Sequence, residues 1–333
     1  MSVPSPALSP PSHLLIPYAA SGSPASRSAL RALQLPNLAR LLSRLKPGLN
    51  DTDPDDEAHP LAMPHERALA RALGVTAPPG HAPWAALERL ASGGQSSNEA
   101  WAWIAPCHCQ VGMDSVTLHN PSALQLAEAD SRALMEAMAP YFSEDGITLA
   151  FDTPGRWLAR GEVFRDLATA SLDRVIGQNV NAWMTASKQA KPLRRLQSEM
   201  QMLLYTHPVN DARLARGLPA VNTFWVSGAG ALPEGWPSLL PSPGEGRKNV
   251  IMPTTLREAA LREDWPVWTQ AWQQIDATDC ARLLATLAQT GHATLTLCSE
   301  RGAHTFEAMP TSLFSRVSGL FQRTTPTAVL EAL

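Results

Sequence analysis

Residues 13–17, HLLIP, form an uninterrupted apolar run closed by proline, and small and polar residues follow it up to Pro24. A short run of this kind predicts a buried strand leading into a turn, suited to a parallel sheet. From 28 to 45 the period changes. Leucines at 30, 33, 38, 41, 42 and 45 make a helical stripe that Pro36 interrupts, which predicts two helices or one kinked helix. The spacing predicts a short helix over 64–73, a loop over 78–83, and two strands within 100–118 around a turn at 110–115. In the first of these strands Trp101 and Trp103 fall on one side of the alternation. Helical spacing recurs over 123–139, 165–176 and 193–205, with Asp166 and Asp173 on the polar side of the second, and 146–151 reads as a strand. The proline-rich tract 233–253 predicts an irregular connector. Beyond it a helix is expected over 265–287, and ATLTLC at 293–298 is a β-prone run after Gly291. From 310 onward the pattern weakens to a last amphipathic helix and a soft tail.

Apolar strands alternating with long helical patterns predict an α/β fold, with an open, mostly parallel sheet flanked by helices. The segmentation expected is a disordered leader over 1–12, an α/β core from 13–100 and 206–310, a mid-chain α+β insertion over 101–205, and a C-terminal helix and tail over 311–333. In open sheets of this type ligands sit beyond the carboxyl ends of the strands, so the loops after strands carry the greatest functional interest.

Composition narrows the functional classes. The 333 residues are 44% hydrophobic and 17% charged, enough for a sizeable core, and the net charge of -3 supplies no overall basic field for nucleic acid or an anionic membrane. No run reaches 18 apolar residues, so no membrane-spanning helix is expected. Cysteines at 107, 109, 280 and 298 are too few and too uneven for a secreted disulfide framework and read as reduced thiols, in keeping with a cytoplasmic protein.

Four groups of residues could carry chemistry. Asp51, Asp53 and Asp55 alternate as in a calcium loop, but Asp56 and Ala62 stand where that loop needs glycine and glutamate, so a solvated acidic loop is expected. Cys107, His108 and Cys109, with Asp114 and His119 nearby, offer metal ligands, yet on a strand the two thiols face away from the imidazole and burial in a core is the simpler expectation. Arg156, Arg160, Arg165, Arg174, Arg194 and Arg195 could grip a phosphate or carboxylate, or pair with carboxylates on the surface. Lastly, residues 207–233 crowd Asn210, Arg213, Asn222 and Trp225 with Gly228 and Gly230. Asn210 could begin a turn or cap a helix containing Arg213, and the glycines could admit a ligand or simply turn the chain.

The last segment carries a resemblance. His207, Pro208, Asn210, Arg213, Pro219, Asn222, Trp225, Gly228, Gly230 and Pro233 follow the pattern of the archaeal-type cofactor-independent phosphoglycerate mutases of the alkaline-phosphatase superfamily, with Ser227 where a second tryptophan is usual. Pro36, Asn37 and Leu38 also fit that family's opening, and the chain most resembles its bacterial mutase-like, RpfE-type regulatory members. The resemblance implies an alkaline-phosphatase-like fold. In the family two metal ions activate a serine nucleophile, and their acidic and histidine ligands stand at strand ends. Here the first strand is followed by Pro17, Tyr18, Ala19 and Ala20, and ATLTLC by Ser299, Glu300 and Arg301. The only Asp-x-x-x-His spacing, Asp55 to His59, lies early in the chain. The expectation is a degenerate mutase-like protein with no metal and no cofactor, regulatory or binding in role. An active mutase or related phosphoryl-transfer enzyme is the alternative. Asn210, Arg213, Asn222, Trp225, Arg165 and Arg174 are the candidate ligand-binding residues, for a small phosphorylated or carboxylate ligand or a protein partner; no nucleic acid and no membrane are expected.

Overall fold

The computed structural model describes residues 12–54, 60–94, 98–184, 187–234, 236, 249–308 and 325–333. In chain order its strands are β1 (His13–Ile16), β2 (Leu45–Thr52), β3 (Ala100–Cys107), β4 (Cys109–Val111), β5 (Val116–Leu118), β6 (Thr148–Thr153), β7 (Arg156–Arg160), β8 (Thr223–Ala231), β9 (Val250–Ile251), β10 (Thr294–Cys298) and β11 (Gly302–Ala308). The helices are α1 (Pro24–Ala32), α2 (Pro36–Leu42), α3 (Pro64–Leu73), α4 (Trp84–Ala91), α5 (Glu128–Glu144), α6 (Leu172–Val175), α7 (Lys191–Tyr205), α8 (Pro208–Ala215), α9 (Thr255–Leu261), α10 (Trp265–Ile275), α11 (Ala281–Thr290) and α12 (Pro326–Glu331). The chain divides into two compact units, one of residues 1–59, 63–75 and 240–333 and the other of 60–62 and 76–239. Residues 76–100 and 206–239 thus join the middle of the chain, a different division from the expected one. The reason is pairing: β8 runs antiparallel to β3 along nearly its whole length.

The first unit is built on a five-stranded sheet in the order β2-β11-β10-β1-β9. β1 is parallel to both β10 and β9, and its four residues are all buried, which is why its sequence is a continuous apolar run rather than an alternation. The remainder of the sheet is antiparallel, because β10 returns through the tight turn 299–301 into β11, and β11 pairs with β2. The expectation of a mostly parallel sheet therefore holds only around β1. Pro36 opens a second helix at its first position, with Leu35 before it in a non-helical conformation (φ -122°, ψ 71°), so the interrupted stripe is two helices. The helix-terminal N–H groups of Asn37 and Leu38, which have no partner within the helix, donate to the buried Asp276 carboxylate at 3.2 and 2.7 Å, which gives the Pro-Asn-Leu segment a structural use. Asp276 opens a single π-turn, 276–280, between α10 and α11, where one continuous helix was expected.

The second unit carries an antiparallel sheet in the order β6-β7-β3-β8 and a small β4-β5 hairpin. Its core gathers Trp157, Phe142, Phe224, Leu196 and Met200 from β7, α5, β8 and α7. Segment 165–176 is not the expected helix. The N–H groups of Thr169 and Ser171 donate to the carbonyls of Gly80 and Leu61, each at 2.9 Å, so the chain is extended there and only the short α6 remains, with Asp173 buried rather than on a polar face. No helix among the described residues is long and apolar enough to cross a membrane. The leader 1–11, the connector 237–248 and residues 309–324 of the expected tail lie outside the described residues.

Gly228 tests the packing of β8. Its φ is +61°, and a Cβ there would come within 2.7 Å of the Trp103 ring. Gly228→Ala is expected to cost about 1–3 kcal/mol in denaturant unfolding; a variant as stable as the parent contradicts this packing.

Candidate functional site

The parallel pair β1 and β10 directs attention to its carboxyl ends. The chain leaves β1 through Pro17 into Tyr18, which is buried with φ +52°, and the Ala19 N–H then donates to the Cys298 carbonyl at 2.7 Å, tying the two strand ends together. The carbonyls of Tyr18 and Ala19 accept from the indole N–H groups of Trp268 and Trp272 at 3.0 and 3.1 Å. Beyond this turn the Glu300 carboxylate accepts from the Ser21 hydroxyl at 2.9 Å and from the Gly22 N–H at 3.3 Å. A cavity of about 140 Å³ opens beside them, lined among others by Ser21, Arg27, Glu300, Arg301 and Leu330. Among the described residues its lining contains no histidine or cysteine. The Ser21 hydroxyl is committed to the Glu300 carboxylate, so what this arrangement offers for binding is the guanidinium groups of Arg27 and Arg301.

The metal centre implied by the resemblance can be tested against these residues. A dinuclear site needs several carboxylate and histidine donors converging at the strand ends. The β1 end presents Tyr18 and two alanines, the β10 end presents one glutamate whose two oxygens are already engaged, and among the described residues no group of three or more histidines, cysteines or carboxylates could hold an ion. The described residues at these strand ends do not fit the group.

The acidic segment is not simply solvated. Arg67 donates to Asp51 through Nε and Nη2 at 3.1 and 3.0 Å and reaches Asp53 at 2.7 Å, and Arg71 reaches Asp51 at 2.6 Å. Asp53 is buried. Burial pushes the Asp51 carboxyl up, but hydrogen bonds and charge from Arg67 and Arg71 outweigh that and hold it below its ordinary value. Asp55 and His59 lie outside the described residues.

At the Cys-His-Cys segment, Cys107 and Cys109 are free and buried in a small cluster with Trp183 and Trp225. Burial raises both thiols, Cys109 to about 11. The His108 ring bonds the Ala220 carbonyl at 2.8 Å and meets the His119 ring edge-on, 5.3 Å between centres.

In the 207–233 segment the polar side chains clamp backbone. His207, not Asn210, caps α8, accepting from the Val209 N–H at 3.2 Å. Asn210 is buried one turn in. Its amide donates to the carbonyls of Leu204 and Val221 at 2.8 and 2.7 Å and accepts from the Val221 N–H at 2.9 Å. Arg213, 0% exposed, donates to the carbonyls of Pro219 at 3.0 Å and of Leu124, and Asp130 lies 3.6 Å away. Burial pulls its pKa below the ordinary arginine value, with Asp130 opposing. Asn222 accepts from the Cys109 N–H and donates to the Cys109 carbonyl, both at 2.8 Å, and the Trp225 indole donates to the Ala170 carbonyl at 3.0 Å. Asn210, Arg213 and Asn222 thus meet around the 216–222 loop, with Trp225 on the strand beyond it. Arg165 and Arg174 are elsewhere. Arg165 pairs with Glu162 and bonds Asn98, and Arg174 bonds the Ala62 carbonyl. Arg156, Arg160 and Arg195 hold Glu88 and Asp152, Glu99, and Asp145 and Glu199 respectively, while Arg194 bonds the Ser187 carbonyl. Sequence reasoning missed Ser21, Arg27, Glu300 and Arg301 as a group; the signal available was their position just after β1 and β10.

Two measurements check these assignments. Asn210→Ala leaves the buried Val221 N–H and two carbonyls without their partner and is expected to cost about 1–3 kcal/mol in denaturant unfolding, whereas Arg27→Ala, on an exposed residue, stays within about 0.5 kcal/mol of the parent. Because the folded-state value of Asp51 lies below its unfolded one, its contribution is present above about pH 4 and is lost as the pH falls through the folded value. Asp51→Asn is therefore expected to flatten the fall in stability below that pH, and an unchanged slope contradicts the pairing.

No family model matches the chain, and no curated protein matches it. Among solved structures, a cofactor-independent phosphoglycerate mutase from Thermoplasma acidophilum is 16% identical, covering 96% of this chain and 94% of that one, with a TM-score of 0.39. The PH0037 protein from Pyrococcus horikoshii is 12% identical over 90% of this chain and 87% of that one, with a TM-score of 0.45. The chain is similar to these structures at a level that assigns it neither a reaction nor a ligand.

Proposed function

We propose that this chain is a degenerate phosphoglycerate-mutase-like protein of alkaline-phosphatase-like descent that works by binding, in a regulatory role, and not by metal-dependent phosphoryl transfer. The observation that supports this reading is the state of the strand ends. Two-metal chemistry uses carboxylates and histidines there to hold ions against the attacking and leaving oxygens. At the ends of β1 and β10 the backbone carbonyls of Tyr18 and Ala19 are taken by tryptophan N–H groups, and the Glu300 carboxylate is taken by Ser21 and Gly22. Arg27 and Arg301 beside that turn suit a small phosphorylated or carboxylate ligand, since guanidinium groups bind such anions through paired hydrogen bonds. The polar atoms of Asn210, Asn222 and Trp225, and Nε and Nη2 of Arg213, are engaged with backbone, which favours a supporting role for these residues over direct ligand contact.

Elemental analysis of the purified protein, paired with an assay for interconversion of 2- and 3-phosphoglycerate, tests the reading. Substoichiometric manganese and zinc and no interconversion are expected, also after incubation with either metal. About two equivalents of metal per chain, or turnover, overturns it.

A further inference from the structure

Arg89, on α4, lays its guanidinium over the indole of Trp101, 4.5 Å from the ring centre. Two residues along the same strand, Arg156 covers Trp103 at 5.0 Å. The two cations differ in one respect. Arg156 is paired with Glu88 and Asp152, at 2.8 and 2.7 Å, as Arg132, Arg160, Arg165 and Arg195 are paired with carboxylates of their own. Arg89 pairs with no carboxylate among the described residues; its Nε is closed off from solvent, so the Nη atoms are the donors that a ligand can reach. An aromatic face partly offsets a cation's charge but accepts no directed N–H bond in the guanidinium plane. The Nη edge of that plane is where an anion would bind.

A cavity of about 120 Å³ lies at this position, lined by Arg89, Arg156, Glu88, Asp152, Trp103 and Leu158 together with Ser92 and Gly94. Each lining feature restricts the occupant. The volume is well below the roughly 300 Å³ at which pockets for drug-sized ligands begin, so a nucleotide or sugar phosphate does not fit. Glu88 and Asp152 are held by Arg156 but still repel a multiply charged anion, which leaves a single negative charge as the best match for Arg89. The Trp103 ring and the Leu158 side chain supply an apolar wall for a short hydrocarbon tail.

We propose that this cavity is a binding site for a small monocarboxylate with a short apolar tail, whose carboxylate is held by Arg89. The site is separate from the strand-end cavity and stands on its own observations, so the proposed function can fail without it. Cation–π contact holds the guanidinium in place before the ligand arrives, which lowers the ordering cost of binding.

A chemical-shift titration of the full chain with butyrate tests it. Saturable binding is expected, weakened at least about tenfold in Arg89→Ala and unchanged in Arg195→Ala, whose guanidinium pairs with Asp145. Arg89→Lys, which keeps the charge over Trp101 but not the planar fork, is also expected to bind butyrate more weakly, and this variant decides the matter if the alanine variant does not fold. Inorganic phosphate is expected to bind more weakly than butyrate. Absence of saturation with butyrate, equal affinity in the parent and in whichever Arg89 variant folds, or tighter binding of phosphate than of butyrate overturns the proposal.

Discussion

In the first unit the strand ends depend on two hydrogen bonds from tryptophan. A parallel pair of strands ends with backbone carbonyls that continue into no helix or sheet, and such groups, once buried, need donors. The indoles of Trp268 and Trp272 supply them to Tyr18 and Ala19. Tyr18 sits in the left-handed region, uncommon for a bulky residue. A conformation of this kind persists only when its surroundings hold it, and here the holding groups are the Trp268 bond to its carbonyl and the Ala19 bond to Cys298 just beyond. The same indoles lie in the core with Leu38, Leu283 and Leu297, so the polar contact and the packing cannot be separated. A carboxylate placed at Tyr18 or Ala19 would enter a buried position and need a compensating charge there.

The second unit solves a similar problem with amides and a guanidinium. Its 216–222 loop turns between α8 and β8, and the backbone there finds its partners in the side chains of Asn210 and Arg213, while Asn222 pairs with both backbone groups of Cys109. A planar amide offers a donor and an acceptor side by side, matching the N–H and carbonyl of a single extended residue. Arg213 is fully buried as a cation, and its carbonyl partners with Asp130 nearby keep that state tolerable.

Legibility in the sequence followed burial. β1, β10, α2 and α3 were readable because apolar periodicity, a proline at the first helical position or a C-terminal glycine marked them. β2 was not, since most of its residues are exposed and it contains Pro47 and Gly48, so it shows neither alternation nor β-prone composition. Helical spacing over 165–176 misled because the competing bonds to Gly80 and Leu61 come from residues far away in the chain. The candidate site divided in the same way. Asn210, Arg213 and Asn222 could be singled out as unusual, but whether an amide faces a ligand or a neighbouring carbonyl depends on the partner across the fold. Ser21 and Glu300, 279 residues apart, become a pair only once β1 and β10 lie side by side.

A motif of this composition therefore carries two kinds of information. Asparagine, arginine, proline and glycine at fixed spacing specify how a loop is held, because each satisfies particular backbone groups or permits a particular turn, and removing one leaves a buried polar group unpaired. Acceleration of a reaction depends on different groups, those placed where charge develops on the reacting atoms. In this chain the clamp residues are present and engaged, while the strand ends carry indole, alanine and a tied carboxylate. The clamps describe an architecture, and the chemistry has to be read at the strand ends, where the protein is arranged to satisfy its own backbone.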